Sequence, residues 1–418
     1  MRLLKGNIIH TPAFGGIETH PNAYLIYDEV KGIQGIYDTL PEEAASFPLE
    51  DYGDALIIPS FSDMHLHAPQ YAMLGMGMDL PLLDWLNAYT FPTESHFKDE
   101  RLARKIYRDL AARLIKEGTT RVAMFSSLHV DATLILMEEL ERAGITGYVG
   151  KVNMDRNSCP ELKESTEESI SETRRWLEES SRFHFIKPIL TPRFTPSCTD
   201  ALMESLGDLA KSRGLPIQSH LSENTGEIEW VKELHPDCQE YFETYAKFGL
   251  WNEKTLMAHC VHSSLRELNA IKEAGVTVVH CPSSNENLCS GYAGVRKMLS
   301  LGVKVVLGSD IAGGDHLSMF DNVTAAIRAS KARGMIDGEN AFLSVEEAFY
   351  LATSAPAAFF GERPGFALGN PLHCLVIKDD ALLSVRELSL KERFERMMYR
   401  RQEDAILAVY SHNRKVRG

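Results

Sequence analysis

The chain has 418 residues with 44 Lys and Arg against 58 Asp and Glu, a net charge of -14, and its 44% hydrophobic and 24% charged content is that of a globular protein, which excludes a disordered or fibrous chain. The acidic balance argues against a nucleic-acid backbone or an anionic membrane as main partner, because both need clustered Lys and Arg. A small neutral or cationic substrate is compatible. The seven cysteines are scattered with no Cys-x-x-Cys pair, so neither a disulfide framework nor a thiolate zinc site is expected. The first residues lack the apolar run of a signal peptide, and no stretch reaches the roughly 20 apolar residues of a membrane helix, so a cytoplasmic location is expected.

In chain order, residues 7–10, 23–27 and 35–37 read as short strands broken by Pro, Gly and Asn. From Ala55 an apolar run followed by a helical pattern repeats. The runs are 55–59, 121–125, 147–152, 183–190, 216–218, 255–258, 276–279 and 304–307, with amphipathic stretches such as 101–116, 133–143 and 265–274 between them. Gly118, Gly144, Gly214, Gly275 and Gly302 stand where helices should stop. The charged stretch 161–179 reads as a solvated helix face. After Gly365 the rhythm returns to short strands at 374–377 and 406–410, a turn at His412-Asn413, and Lys415-Val416. This order predicts an α/β fold: a (β/α)8 TIM-type barrel over residues 55–363, with a small β-sandwich domain built from residues 1–54 and 364–418.

Five residues of ligand type fall at the carboxyl ends of predicted barrel strands, the end where such barrels build their sites. Asp63-Met64-His65-Leu66-His67 follows the first run, and in extended backbone His65 and His67 point to one side. His220 follows the fifth run, His259 the sixth and Asp310 the eighth. Any one of these histidines is more often structural than a ligand; their convergence on one point predicts a metal site. Nitrogen and carboxylate donors without thiolates suit a catalytic Zn²⁺ with an open position for water. Glu223 has two readings, a general acid/base beside the metal or a carboxylate capping the following helix. His262 and His280 are expected to pack or support, and Asp315 and His316 are candidates to line the pocket.

These residues resemble the metal-dependent amidohydrolase superfamily, and within it the guanine deaminase family. The likeness rests on His65-Leu66-His67-Ala68-Pro69-Gln70-Tyr71, the loop through Asp79-Leu80-Pro81 and Thr90-Phe91-Pro92, Thr191-Pro192-Arg193-Phe194, and His280-Cys281-Pro282-Ser283-Ser284-Asn285. It implies one zinc per chain held by His65, His67, His220 and Asp310, with His259 beside the water and Glu223 as proton shuttle. It also implies guanine as substrate, held by Gln70, Arg193 and Phe194 together with Glu223 and His259, and a homodimer. Ser309 stands where Thr is usual, and His373-Cys374 where an acidic and a small residue are common. The implied reaction is deamination of guanine to xanthine and ammonia, with an Arg fork matching O6 and N7, an aromatic face for stacking, and a Gln amide for the lactam edge. Trp85 and Phe91 are expected to pack or to wall the pocket. The alternatives are a related deaminase or chlorohydrolase acting on another purine, a pterin or a triazine, a binuclear amidase, or an inactive barrel scaffold. A binuclear site needs a bridging Lys, and Lys187 stands too early in its strand; a scaffold would have lost ligands.

Overall fold

The computed structural model describes residues 1–379 and 383–418. Both chain ends meet in one seven-stranded sheet, in the order Arg414–Arg417, Ile406–Ser411, Cys374–Ile377, Leu49–Pro59, Arg2–His10, Glu18–Asp28, Gly32–Tyr37. Its strands alternate in the two-residue period of a sheet with two buried faces. Leu4, Ile8, Ile57, Val376 and Tyr410 point into a small core of their own, while Ile9, Leu56, Ile58, Leu375 and Val409 join the main core.

The terminal segments, expected as a β-sandwich, hydrogen-bond into one continuous sheet that curls on itself, so that Tyr27 and Tyr410, on strands well separated in that order, meet at 6.2 Å. This arrangement corrects one sequence expectation. The run at 55–59, expected as the first barrel strand, is the end of Leu49–Pro59 and pairs antiparallel with Cys374–Ile377, from Leu56 opposite Ile377 to Pro59 opposite Cys374. A continuous apolar run signals burial on both faces, but not which sheet buries it. The chain then passes Ser60 and runs on as Phe61–His67, so the His-x-His pair lies within a strand rather than after one.

Phe61–His67, Thr119–Phe125, Thr146–Gly150 and Ile186–Pro188 form one parallel sheet; Ile217–Leu221, Thr255–His259, Thr277–His280 and Lys304–Leu307 form another. Backbone hydrogen bonds tie the two sheets at both edges. On one side the Leu190 N–H donates to Pro216 O at 2.9 Å and the Gln218 N–H to Leu190 O at 2.9 Å. On the other the Asp310 N–H donates to His65 O at 2.8 Å and the His67 N–H to Ile311 O at 3.0 Å. Met64, Ala123, Leu256, Val279 and Val306, carried by strands of both sheets, meet in one buried cluster with Ile189.

The helices follow their end signals. Asp99 caps Glu100–Lys116 by accepting from the Arg101 and Leu102 N–H groups, and Gly144, Gly214 and Gly275 end their helices in the left-handed conformation that lacks a Cβ penalty. One helix departs from the expected run of terminal strands. Leu390–Arg400 is capped by Ser389 and buries only Phe394, Met397 and Met398, spaced i, i+3, i+4 among charged residues. Among the described residues no helix is long and apolar enough to cross a membrane. Phe394 is fully buried and meets Phe349 edge-on at 5.0 Å. Phe394→Ala should therefore lower the unfolding free energy by about 3–5 kcal/mol, read as a lower urea midpoint with an unchanged slope.

Candidate metal centre and active site

Phe61–His67 is buried along its whole length, and its period-two geometry turns His65 and His67 to the same side. Their rings lie 5.0 Å apart, and the Nε2 atoms stand 3.3 Å and 3.4 Å from Asp310 Oδ1. His220 Nε2 is 3.2 Å from His67 Nε2. The His220 Nδ1–H donates to the carbonyl of Arg193 at 2.6 Å, which assigns the other nitrogen as a lone pair aimed at the centre. Phe125, at the end of the neighbouring strand, lies against the rings of His65, His67 and His220 at 4.6–5.0 Å. Burial pushes all three imidazoles below their ordinary pKa, so they are neutral and able to ligate. Asp310 is buried too, but His65, His259 and His67 hold it well below the carboxylate range. Two imidazole nitrogens 3.2 Å apart, a buried His65 Nε2 with no hydrogen-bond partner, and a carboxylate beside them form a donor set that fits a divalent cation.

Asp310 is aimed by its neighbours. The Asp63 carboxylate accepts hydrogen bonds from the Ser309 N–H, at 2.9 Å, and from the Ser309 hydroxyl. Gly308 makes the approach close: a Cβ there would stand 2.8 Å from His65 Cβ and 2.9 Å from His65 N. Asp310 itself has φ 50° and His259 φ 74°, left-handed values that cost a non-glycine residue on the order of 1–3 kcal/mol and collect at functional sites.

His259 faces this group from the next strand, with Nε2 3.7 Å from Asp310 Oδ2 and 3.5 Å from Glu223 Oε2. Its Nδ1–H donates to Asn285 Oδ1 at 2.9 Å. Burial lowers the His259 pKa, yet the Glu223 and Asp310 carboxylates overcome it and raise the net value. Burial pushes the Glu223 carboxyl up to about 7, with Asp310 and Glu227 adding to the rise and His259 opposing it. The two sequence readings of Glu223 are thereby separated. The following helix, Thr225–Leu234, is capped by Asn224 with Glu227 three residues on, while Glu223 turns inward and accepts from Ser290 Oγ at 3.2 Å.

A cavity opens above this group. His67, His220, His259, Glu223 and Asp310 form its floor, Gln70, Arg193 and Phe194 its polar and aromatic side, and Leu82, Trp85, Leu86 and Leu288 its apolar cover. The residues expected to hold the metal and the substrate thus converge. Trp85 walls the cavity, whereas Phe91 lies behind Arg193 with its ring centre 5.2 Å from the guanidinium. Asp315 and His316 do not line the cavity; they pair at 3.2 Å in a separate outer groove, because the chain turns away after Gly314. The His262 Nε2–H donates to Ser290 O at 2.7 Å, His280 is buried outside the cavity, and Lys187 is exposed.

Sequence reasoning missed the supports. Glu94 accepts from both Arg193 and Gln70, Glu227 accepts from the Glu223 N–H at 2.9 Å and from Tyr241 OH at 2.8 Å, and Phe125 seats the imidazoles. Glu227 alone had a local signal, since Asn224-x-x-Glu227 is a capping box.

The sequence profile of the Amidohydrolase family matches residues 56–365. The chain belongs to that family. It is 37% identical to the guanine deaminase of Dictyostelium discoideum, an alignment that spans 100% of this chain and 98% of that one. It is 43% identical over 330 residues to the guanine deaminase of Mus musculus, covering 78% and 73% of the two chains. A crystal structure of guanine deaminase from C. acetobutylicum, with guanine bound in the active site, superposes with a TM-score of 0.96 at 43% identity over 99% of each chain. The family is metal-dependent, in keeping with the donor set described above. Because Gly308 lets Ser309 and Asp310 approach His65, Gly308→Ala should destabilise the chain by about 1–3 kcal/mol through overpacking. It should also lower the metal retained after dialysis to less than half that of the parent, measured by elemental analysis.

Proposed function

We propose that the chain is a guanine deaminase that hydrolyses guanine at C2 to xanthine and ammonia. The observation that carries this reading is a cavity with a nitrogen and carboxylate donor set on its floor, a carboxyl group of pKa about 7 beside it, and a Gln–Arg wall across from it. His65, His67, His220 and Asp310 would hold one zinc ion per chain. When bound, the cation lowers the pKa of a water molecule from about 15.7 toward about 7.

The chain's own residues do the rest. The Asp310 oxygen that faces His259 takes the proton of the attacking water. Glu223, whose carboxyl burial pushes up to about 7, delivers a proton to ring N3, which makes C2 electrophilic. Recharged with the proton that Asp310 took from water, it protonates the departing amine, and it regains its own proton from the adduct's hydroxyl as the C2 carbonyl forms. Without an acid in the site ammonia would be a poor leaving group. His259, oriented by Asn285, stabilises the charge that grows on the attacking oxygen. Arg193 and Gln70 retain N–H groups for O6 and N7, and Phe194 offers a ring face. Leu82, Trp85, Leu86 and Leu288 exclude bulk water.

Hydrogen bonds at both edges of the two parallel sheets support reading them as one closed (β/α)8 barrel, with the terminal sheet as an accessory unit. A cytoplasmic location accords with seven cysteines that lack paired spacing, and a homodimer accords with the family resemblance.

Purified protein given guanine should release xanthine and ammonia in equal amounts, while adenine, cytosine and isoxanthopterin are turned over slowly or not at all; no ammonia from guanine would overturn the assignment. A chelator should abolish turnover, zinc should restore it, and elemental analysis should find close to one zinc per chain. Glu223→Gln should lower kcat by about 10²–10⁴-fold with the fold retained by circular dichroism.

A further inference from the structure

The Gln–Arg wall of the cavity is organised by a residue that does not touch the cavity. Glu94 is 2% exposed and lies in the short helix Phe91–Ser95, which follows the covering segment of Leu82, Trp85 and Leu86. Its Oε2 accepts from Arg193 Nη1 at 2.5 Å, and its Oε1 accepts from both Arg193 Nη2 at 3.1 Å and Gln70 Nε2 at 2.9 Å. On the other side of Gln70, the Ala312 N–H donates to Oε1 at 3.2 Å.

Those contacts allow one orientation of the Gln70 amide. Turned over, its oxygen would face the Glu94 carboxylate and its NH₂ would face the Ala312 N–H, acceptor against acceptor and donor against donor. In the orientation held, one N–H and one oxygen lone pair of Gln70 remain for a ligand, each in a set place. Arg193 likewise has its charge paired and its fork fixed, with N–H groups left over. A 6-oxopurine offers an O6 acceptor beside an N1–H donor; a 6-aminopurine offers the reverse. The wall suits one of them, and Glu94 decides which.

We infer that Glu94 is a positioning residue that sets selectivity for a 6-oxo over a 6-aminopurine by fixing the Gln70 amide and the Arg193 fork. This rests on the guanine reading above. The competing account is a structural ion pair that only fastens residues 91–95 to the barrel. The two differ in how they affect two ligands that share the reacting 2-amino group. The experiment measures kcat and KM for guanine, and the inhibition constant of 2,6-diaminopurine as its competitor, in the metal-loaded protein and in Glu94→Gln.

With the carboxylate gone, Gln70 is free to turn over. The guanine KM should rise by about tenfold or more, while 2,6-diaminopurine binds as well as before or better, so the ratio of the two constants shifts by at least about tenfold. Glu94→Asp keeps the charge on Arg193 and pulls back from Gln70, so it should fold even where the Gln variant does not and should show a smaller shift in the same direction. A parallel weakening of both ligands in whichever variant folds, or a fall in kcat alone, would overturn the inference. Failure of the parent protein to form xanthine from guanine would instead sink the guanine reading.

Discussion

The site depends on the seam between Phe61–His67 and the chain that leaves Lys304–Leu307. Asp63, buried inside the strand, accepts both hydrogen bonds that Ser309 can donate, and the Asp310 N–H donates to the His65 carbonyl. A carboxylate removed from water needs such partners, so the seam closes in one register. That register puts Asp310 between the imidazoles of His65 and His67, and Gly308 leaves room for it. The strained backbone at Asp310 and His259 persists because packing on every side fixes it.

Burial then divides the titratable groups by their neighbours. His65, His67 and His220 lose water and have only one carboxylate to share, so they stay neutral. Asp310 is surrounded by imidazoles and stays charged. Glu223 has a burial penalty and two nearby carboxylates, which bring it to about 7. Groups of similar intrinsic acidity thereby reach opposite states within one cavity, one an anion among imidazoles and the other a carboxyl with a raised pKa.

The positions at strand ends were legible because strand geometry is local. His-x-His in extended backbone must point one way, and His220 and His259 stand at or near the ends of runs that form parallel strands, which puts them at the mouth of that sheet. The helix Leu265–Ala274 was legible from its spacing and closing glycine. The residues of the 55–59 run were recognised as a strand but assigned to the wrong sheet, since their partner, Cys374–Ile377, lies more than 300 residues away. Leu390–Arg400 was missed because three apolar residues among charges give a weak helical stripe. Glu94 was invisible for a different reason: a glutamate in a loop-like stretch reads the same whether it ends in solvent or beneath Arg193.

The sequence by itself determined the donor types, their spacing along the strands and the alternation of strands with helices, because these follow from backbone periods of 2 and 3.6 residues. Tertiary structure alone decided which sheet each strand joined, which way Glu223 turned, and that Glu94 would hold Gln70 and Arg193 together. Those outcomes depend on partners distant in the chain and on the loss of water around buried charge, neither of which a local pattern contains.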